Sequence, residues 1–255
     1  ENFDPSLMVD CDTLPVIPHG ADEAGEESHG AVDLTHAFMD SCNIFYSETA
    51  LRTGLQDLTR TAEAFGYNKP LTVDRLTVTQ SEFYVLEDED ALLTWAAIGQ
   101  PAGEARNTVS PLQMALMVGA VANDGVMMTP HIVSSMTNPL GQIYEESRPS
   151  ILRTVYDRSY AEDMKALLSA GVDGGGGGWR AQIEGYAVSG KTGSAEVEGQ
   201  VGKNLVFVGY VATPEQPLAV SVLVENVDAF ASTTTAPMAG ELLSYAINLD
   251  VVHGN

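Results

Sequence analysis

The chain has 255 residues, of which 44% are hydrophobic, and 35 acidic residues against 12 basic ones give it a formal net charge of −23. This hydrophobic content is sufficient for the core of one large domain and argues against overall disorder. The negative charge would repel a phosphate backbone, so no nucleic acid is expected as a partner. The sequence contains no run of 18 apolar residues, so it predicts no membrane span.

The two cysteines, Cys11 and Cys42, are too few for a zinc framework and form no Cys-x-x-Cys redox pair. A disulfide between them would require an oxidising, extracytoplasmic compartment. The sequence is compatible with either a disulfide or two unpaired thiols. No two of the histidines have the i, i+4 spacing of a helical ligand pair; they are His19, His29, His36, His131 and His253. The sequence therefore predicts no metal and no cofactor.

The first predicted helices follow residues 1–32, which lack helical or strand periodicity and are expected to form an extended surface segment. Asp33 is a candidate N-cap for a short helix, and a second helix is predicted from about Ile44 to Gly54. Ser41-Cys42-Asn43 therefore lies at the joint between two helices.

The middle of the chain contains the clearest helix signal. A helix is predicted over Leu55–Phe65, and residues 67–107 are expected to be mostly loop. Ser110 is a candidate N-cap followed by a proline, and Gln113 has the spacing of a capping box, in which its side chain would bond back to the Ser110 backbone. This apolar helix is expected to end near residues 123–125.

The last third of the chain changes from helical to strand character. Asp157 or Ser159 is expected to begin a helix that ends near Ala170, and five consecutive glycines, residues 174–178, are expected to form a mobile loop. Three antiparallel strands follow, and a C-terminal helix is expected to begin at Pro237. The predicted strands are residues 186–197, 205–213 and 218–225. Helices followed by a strand meander indicate an α+β fold.

Gly185 to Thr192 satisfies the phosphate-loop pattern of Gly, four residues, Gly-Lys and Thr, which would indicate a nucleotide-binding protein. A phosphate loop requires an apolar strand before the first glycine and a helix after the threonine. A glycine-rich loop precedes Gly185 and a predicted strand contains Thr192, so neither flank fits. We therefore favour a strand that presents Lys191-Thr192-Gly193.

Two of these stretches together resemble a known family. Ser41-Cys42-Asn43 at a helix joint, followed about 150 residues later by Lys191-Thr192-Gly193 on a strand, resembles two of the three signatures of the penicillin-binding and serine β-lactamase superfamily. Further stretches are similar to class B penicillin-binding transpeptidases: residues 97–100 with 109–115, residues 122–125 with 130–131, and residues 207–210. The resemblance covers nearly the whole chain.

The resemblance implies a five-stranded antiparallel sheet flanked by helices, of which this sequence supplies three strands. The third family signature, Ser-x-x-Lys, is absent, because no serine lies three residues before any lysine; the lysines are Lys69, Lys165, Lys191 and Lys203. We therefore expect residues 1–255 to be a single transpeptidase domain that lacks its N-terminal strands and nucleophile helix. Residues 1–184 are expected to be mainly helical and loop, and residues 185–252 to form the meander and C-terminal helix.

The family resemblance also implies a function and residue roles. The implied activity is that of a serine-type peptidoglycan D,D-transpeptidase, and this chain alone is expected to be inactive. Ser41, Asn43 and Lys191 would be catalytic. Residues that would bind the substrate are Thr192, Gly193 and Ser194.

The implied partners are peptidoglycan stem peptides ending in D-Ala-D-Ala, β-lactam antibiotics, other cell-wall synthesis proteins and the missing N-terminal segment of the same protein. The implied location is the outer face of the bacterial plasma membrane, with an anchoring span outside this chain, in a cell-division or cell-shape role. The alternative to catalysis is a scaffold with the same fold that serves only for binding.

Overall fold

A computed structural model of the chain describes residues 6–11, 29–85, 90–100, 106–197, 199, 201–213 and 217–249. The helices are α1 (Leu34–Met39), α2 (Asn43–Thr53), α3 (Leu55–Phe65), α4 (Asp90–Ala97), α5 (Pro111–Ala122), α6 (Arg158–Asp173) and α7 (Thr235–Ile247). Within the described ranges, none of these helices combines the length and the apolar character that a membrane crossing requires.

Among the described residues, the strands comprise ten short ones in the first two thirds of the chain and three long ones near its end. They are β1 (Val9–Asp10), β2 (Ala31–Val32), β3 (Leu71–Val73), β4 (Leu76–Val78), β5 (Glu82–Tyr84), β6 (Arg106–Thr108), β7 (Val126–Met128), β8 (Ser135–Thr137), β9 (Ile143–Glu146), β10 (Ile151–Thr154), β11 (Val188–Ala195), β12 (Lys203–Val211) and β13 (Leu218–Val227).

The main sheet consists of the three long strands in the order β11-β12-β13, and both pairings are antiparallel. Alternation along β12 sends Phe207 and Val211 into a core cluster with Leu243 of α7 on one face. Tyr210 points to the opposite face and packs with Val121 of α5. Helices therefore cover both faces of an antiparallel sheet, which confirms the predicted α+β class.

The short strands form two-stranded antiparallel ribbons: β1 with β2, β3 with β4, β5 with β6, β7 with β10, and β8 with β9. The expectation that residues 67–107 are mostly loop is wrong, because β3, β4, β5, α4 and the start of β6 lie there. Their strands are only three residues long, too short for a period of two to stand out from the sequence.

The predicted starts and ends of the helices are largely confirmed. The Asp33 carboxylate accepts a hydrogen bond from the His36 N–H at the start of α1, and Gly66 ends α3 in the left-handed conformation. α7 begins two residues before Pro237. The capping box at α5 is half wrong: the Ser110 hydroxyl accepts from the Gln113 N–H as predicted. The Gln113 side-chain amide instead donates to the Phe65 carbonyl at 2.6 Å.

The phosphate-loop interpretation of residues 185–192 is contradicted by the structure. Thr192 lies in the middle of β11, paired with Phe207 of β12, where a phosphate loop would already have entered a helix. The backbone N–H groups of this segment therefore take part in a sheet and do not converge on a common point.

The second half of the glycine run, residues 176–178, packs against α6 and the sheet, whereas Gly174 and Gly175 are exposed. The Gly178 N–H donates to the Gly171 carbonyl at 3.1 Å. A Cβ atom on Gly177 would lie 2.7 Å from the Thr192 Oγ1 atom, closer than Cβ contacts normally come. Glycine at this position therefore lets the backbone lie close to the Thr192 side chain in the middle of β11.

Gly171 makes an equally close contact from within α6. A Cβ atom there would lie 2.4 Å from the Gly190 carbonyl oxygen of β11 and 3.2 Å from the Phe38 ring. The backbone oxygen cannot rotate away as a flexible side chain would. The position of α6 against the edge of the sheet therefore depends on the absence of a side chain at Gly171.

We predict that Gly171→Ala lowers the free energy of unfolding by about 1–3 kcal/mol, because the new methyl group overpacks this contact. The matched control is Gly119→Ala in α5, where a Cβ would lie 3.7 Å from its neighbour, Ala219 Cβ. That change should be neutral or stabilising by up to about 1 kcal/mol, since alanine favours helix interiors. Urea unfolding of both variants measures the difference, and equal effects would contradict the assignment.

Candidate active site

The joint between α1 and α2 presents Ser41 in an uncommon backbone conformation. Ser41 has φ +56°, in the left-handed region that non-glycine residues seldom adopt, and its side chain is exposed. Cys42 follows as the N-cap of α2 and is buried. Backbone strain held between two helices frequently marks a functional position, because the surrounding structure must impose it.

Packing of α1 brings this joint to the sheet. Phe38 of α1 packs against a cluster formed by α5, α6 and β12, whose buried members are Val118, Val121, Leu168 and Tyr210. Three residues later, Ser41 lies beside β11. The Lys191 ammonium donates a hydrogen bond to the Ser41 hydroxyl, although 150 residues separate them along the chain. The predicted catalytic pair is thus brought together.

Lys191 has further partners around its ammonium group. The group approaches the Thr192 carbonyl oxygen at 3.3 Å and lies 5.8 Å from the centroid of the Phe38 ring. Burial lowers the pKa of the Lys191 side chain to about 8, and the negative charge of Asp40 partly opposes this shift. An ammonium with this pKa exchanges protons readily near neutral pH, which suits proton relay through the Ser41 hydroxyl.

Asn43 is the first residue of α2 and is half-buried two positions from Ser41. The structure therefore places the whole Ser41–Asn43 motif at one end of α2. The amide-binding role of Asn43 stays a prediction.

The three predicted substrate-binding residues lie in the C-terminal half of β11. Ser194 is exposed. A Cβ atom on Gly193 would meet Val206 Cγ1 of β12 at 2.8 Å. The glycine is therefore required by packing within the sheet, and the ligand contacts of all three residues stay predictions.

Gln100 is a residue of this region to which sequence reasoning assigned no role. Its side-chain amide donates to the Ser194 carbonyl at 3.2 Å and accepts from the Glu196 N–H at 3.0 Å. Gln100 lies in one of the stretches that resemble the family, but nothing in its local sequence shows that it reaches a strand 94 residues further along the chain.

A second cluster lies behind the joint and was missed by the sequence analysis. The Sγ atoms of Cys11 and Cys42 are 2.8 Å apart, no disulfide joins the two residues, and both side chains are buried. The ligand atoms of these two residues and His29 all lie within 4.8 Å of one another, so these are the described residues that could hold a metal ion. The expectation of no metal rested on the small number of cysteines and on the absence of a helical histidine pair. Pairing of β1 with β2 brings Cys11 close to His29, and Cys42 belongs to the same core cluster as Cys11.

We predict that the stability contribution of Lys191 rises with pH between about 8 and 10.5, its folded and ordinary pKa values. Between these pH values the Lys191 side chain keeps its proton in the unfolded chain but has lost it in the folded chain, so the free energy of unfolding increases with pH. Relative to Lys191→Met, the unmodified chain should gain up to about 3 kcal/mol across the window. Urea unfolding at several pH values measures the gain.

The control for this measurement is Lys69→Met, which removes an exposed lysine. The stability difference between the unmodified chain and this variant should stay constant over the same pH window. A constant difference for Lys191→Met as well would show that the Lys191 ammonium is not desolvated.

We predict that oxidised glutathione converts the two thiols of Cys11 and Cys42 into one internal disulfide, with release of reduced glutathione. The bond would close a loop between residues 31 positions apart, which should raise the free energy of unfolding by about 3.7 kcal/mol. Intact-mass measurement and urea unfolding report the bond and its effect. Cys11→Ser is the control, and a glutathione adduct on each cysteine in place of the internal bond would contradict the prediction.

Comparison with known proteins places these features in a family. Residues 17–244 match the family described as penicillin binding protein transpeptidase domain. Among curated proteins, the chain is 29% identical over 200 residues to the peptidoglycan D,D-transpeptidase PbpA of Mycolicibacterium smegmatis, a match covering 76% of this chain and 39% of that protein. The chain thus spans well under half the length of this relative.

Solved structures agree with the family match. The D,D-transpeptidase domain of a peptidoglycan glycosyltransferase from Eggerthella lenta has a TM-score of 0.77 at 27% identity, covering 87% of this chain and 55% of that one. The penicillin G acyl-enzyme complex of penicillin-binding protein A from M. tuberculosis has a TM-score of 0.78 at 23% identity, covering 95% and 57%, and supports the fold. The chain belongs to the penicillin-binding protein transpeptidase domain family.

Proposed function

We propose that the protein to which this chain belongs is a peptidoglycan D,D-transpeptidase that works through an acyl-serine intermediate, with its nucleophilic serine outside these 255 residues. The observation that carries the proposal is the hydrogen bond from the Lys191 ammonium to the Ser41 hydroxyl. It joins the two motifs that resemble family signatures into one polar site, in a chain that belongs to the transpeptidase domain family.

The proposed reaction transfers an acyl group in two steps. The serine oxygen attacks the penultimate D-alanyl carbonyl of a stem peptide, the peptide bond breaks, and the terminal D-alanine leaves with a proton on its nitrogen. The amine of a second stem peptide then attacks the acyl-serine ester and regenerates the hydroxyl. Ser41 is proposed to pass the proton to the leaving nitrogen, with the lowered pKa of Lys191 supporting the exchange.

Substrate binding is proposed to use the edge of β11. The hydroxyl groups of Thr192 and Ser194 would bind the terminal carboxylate beside Gly193, and Asn43 would hold the substrate amide. The Ser194 N–H would donate to the oxyanion together with the N–H of the nucleophilic serine. The exposure of Ser194 at a sheet edge supports this role.

β-Lactam antibiotics are proposed as ligands of the same site, since they would acylate the same serine. A solved structure with the same fold, penicillin-binding protein A from M. tuberculosis, is a penicillin G acyl-enzyme complex.

The open edge of β13 supports the proposal that N-terminal strands complete the sheet. Among the strands that the structure describes, β13 pairs with β12 alone. A cavity of about 400 Å³ lies beside it against α5, lined by apolar residues such as Leu116, Met128 and Ala219. An unpaired strand edge with an apolar neighbour tends to recruit another strand. We propose that the N-terminal segment of the same domain fills this position.

We propose that the protein acts on the outer face of the bacterial plasma membrane, anchored by a span outside this chain. Peptidoglycan lies on that side of the membrane, which supports the location. The proposed partners are other cell-wall synthesis proteins that act in cell division or in the control of cell shape.

We predict that a reporter penicillin leaves no covalent mass on this chain, because the chain holds no Ser-x-x-Lys. The natural gene product that contains the chain should gain one penicillin per molecule. In that product Lys191→Ala should slow labelling by about 100-fold or more, since it removes a group that supports proton transfer. Intact-mass spectrometry over time measures both results.

Lys69→Ala is the matched control in the gene product and should label at the normal rate. Covalent labelling of this chain alone, for example at Ser41, would contradict the assignment of the nucleophile. A gene product that remains unlabelled would reject acyl-serine catalysis and favour a scaffold.

A further inference from the structure

The surroundings of the Lys191 ammonium combine two oxygen atoms with one aromatic ring. An ammonium has three N–H donors, and the hydrogen bonds here use two of them, to the Ser41 hydroxyl and the Thr192 carbonyl. Among the described residues, no oxygen accepts from the third donor. The group instead lies over the ring of Phe38, 5.8 Å from its centroid.

The kind of side chain at position 38 matters for the charge of the lysine. The face of an aromatic ring attracts a cation, whereas an aliphatic side chain does not. Both kinds exclude water, which disfavours the charged form of a lysine. Burial lowers the pKa of Lys191 to about 8, so a small change around this group alters its charge state near neutral pH. A phenylalanine excludes water here and still favours the ammonium form.

The ring of Phe38 is held in this position from two sides. A Cβ atom on Gly171 of α6 would lie 3.2 Å from Phe38 Cε1, so the ring edge lies close to the α6 backbone. The ring also packs against the cluster that includes Val121 and Leu168. The Ser41 N–H donates to the Phe38 carbonyl at 3.4 Å, which ties the ring and the hydroxyl to one turn of backbone.

The charged group that acts on Lys191 from the described residues is Asp40. Its carboxylate lies on the same turn as Phe38, and its negative charge favours the ammonium form. On α6, which packs against β11, Lys165 is hydrogen-bonded to Asp124 and does not shift the pKa of Lys191. The end of α1 therefore supplies a ring, a carboxylate and a hydroxyl to one ammonium.

We propose that Phe38 is a positioning residue of this site, whose ring face holds the Lys191 ammonium against the Ser41 hydroxyl. The contact rests on geometry, whereas its importance for catalysis rests on the proposed function. When Ser41 gives its proton to the leaving nitrogen, Lys191 can return a proton to the Ser41 oxygen only from its ammonium form. The ring therefore extends activity to a higher pH.

NMR titration of the lysine side chains of this chain tests the contact without any ligand. Trifluorophenylalanine at position 38 keeps nearly the size and shape of the ring but removes most of the negative charge from its face. The midpoint of the Lys191 titration should fall by about 0.5 to 1 pH unit, and a monofluorinated ring should give a smaller fall. The chain has four lysines, so Lys191→Met identifies the signal.

Two controls accompany the titration. Asp40→Asn removes a charge that favours the ammonium form, so it should also lower the midpoint and shows that the measurement responds. The same trifluorinated residue at position 65, where the Phe65 ring packs edge-on against Tyr156, should leave the Lys191 titration unchanged. An unchanged or raised midpoint with the fluorinated ring at position 38 would show that Phe38 only fills space, and would overturn the proposal.

Penicillin labelling of the natural gene product tests the consequence for catalysis. With trifluorophenylalanine at position 38, labelling should be about two- to sixfold slower at pH 8, because fewer molecules hold the ammonium form. At pH 6.5 it should stay within about twofold of the normal rate, because Lys191 is then protonated in both proteins.

An equal loss of labelling at both pH values would indicate a packing role and overturn the proposal. A gene product that stays unlabelled with the normal phenylalanine would reject the proposed function, and the Lys191 titration in this chain would still decide the contact.

Discussion

The hydrogen bond between the Lys191 ammonium and the Ser41 hydroxyl connects the helical part of the chain to its sheet. A buried ammonium is costly unless it is paired, so the fold must supply oxygen atoms around it. The α1–α2 joint supplies the Ser41 hydroxyl, β11 supplies the Thr192 carbonyl, and Asp40 supplies negative charge. Ser41 meets the lysine from an uncommon backbone conformation, with φ +56°.

Backbone packing determines where that lysine stands. Gly171 lets α6 approach the Gly190 carbonyl, Phe38 of α1 packs beside the same contact, and Gly177 lies over Thr192. Contacts with α6 therefore position both α1, the helix that leads to Ser41, and β11, the strand that carries Lys191. The polar groups of the site are therefore held in place by close packing around them, and this packing leaves no room for a side chain at several glycines.

The sequence predicted elements with strong local signals and missed contacts that exist only in three dimensions. N-cap residues such as Asp33 and Ser110 were sufficient to locate helices, and the change to strand character after residue 185 was sufficient to locate the meander. Gln113 was misassigned because the Phe65 carbonyl, 48 residues away, competes for its amide. The site was found through its resemblance to a family, since spacing alone does not show that Ser41 meets Lys191. Gln100 and the Cys11–His29–Cys42 cluster carried no local signal.

The contact between Gly171 of α6 and the Gly190 carbonyl of β11 has a further consequence for how the strand responds to force and to mutation. A contact between two backbones has no rotamers, so it can neither relax around a substitution nor absorb a displacement by repacking. Any shift of α6 is therefore transmitted rigidly to the middle of β11. Variation among related proteins should concentrate at the ends of this strand, where side chains such as that of Gln100 can change without moving Lys191.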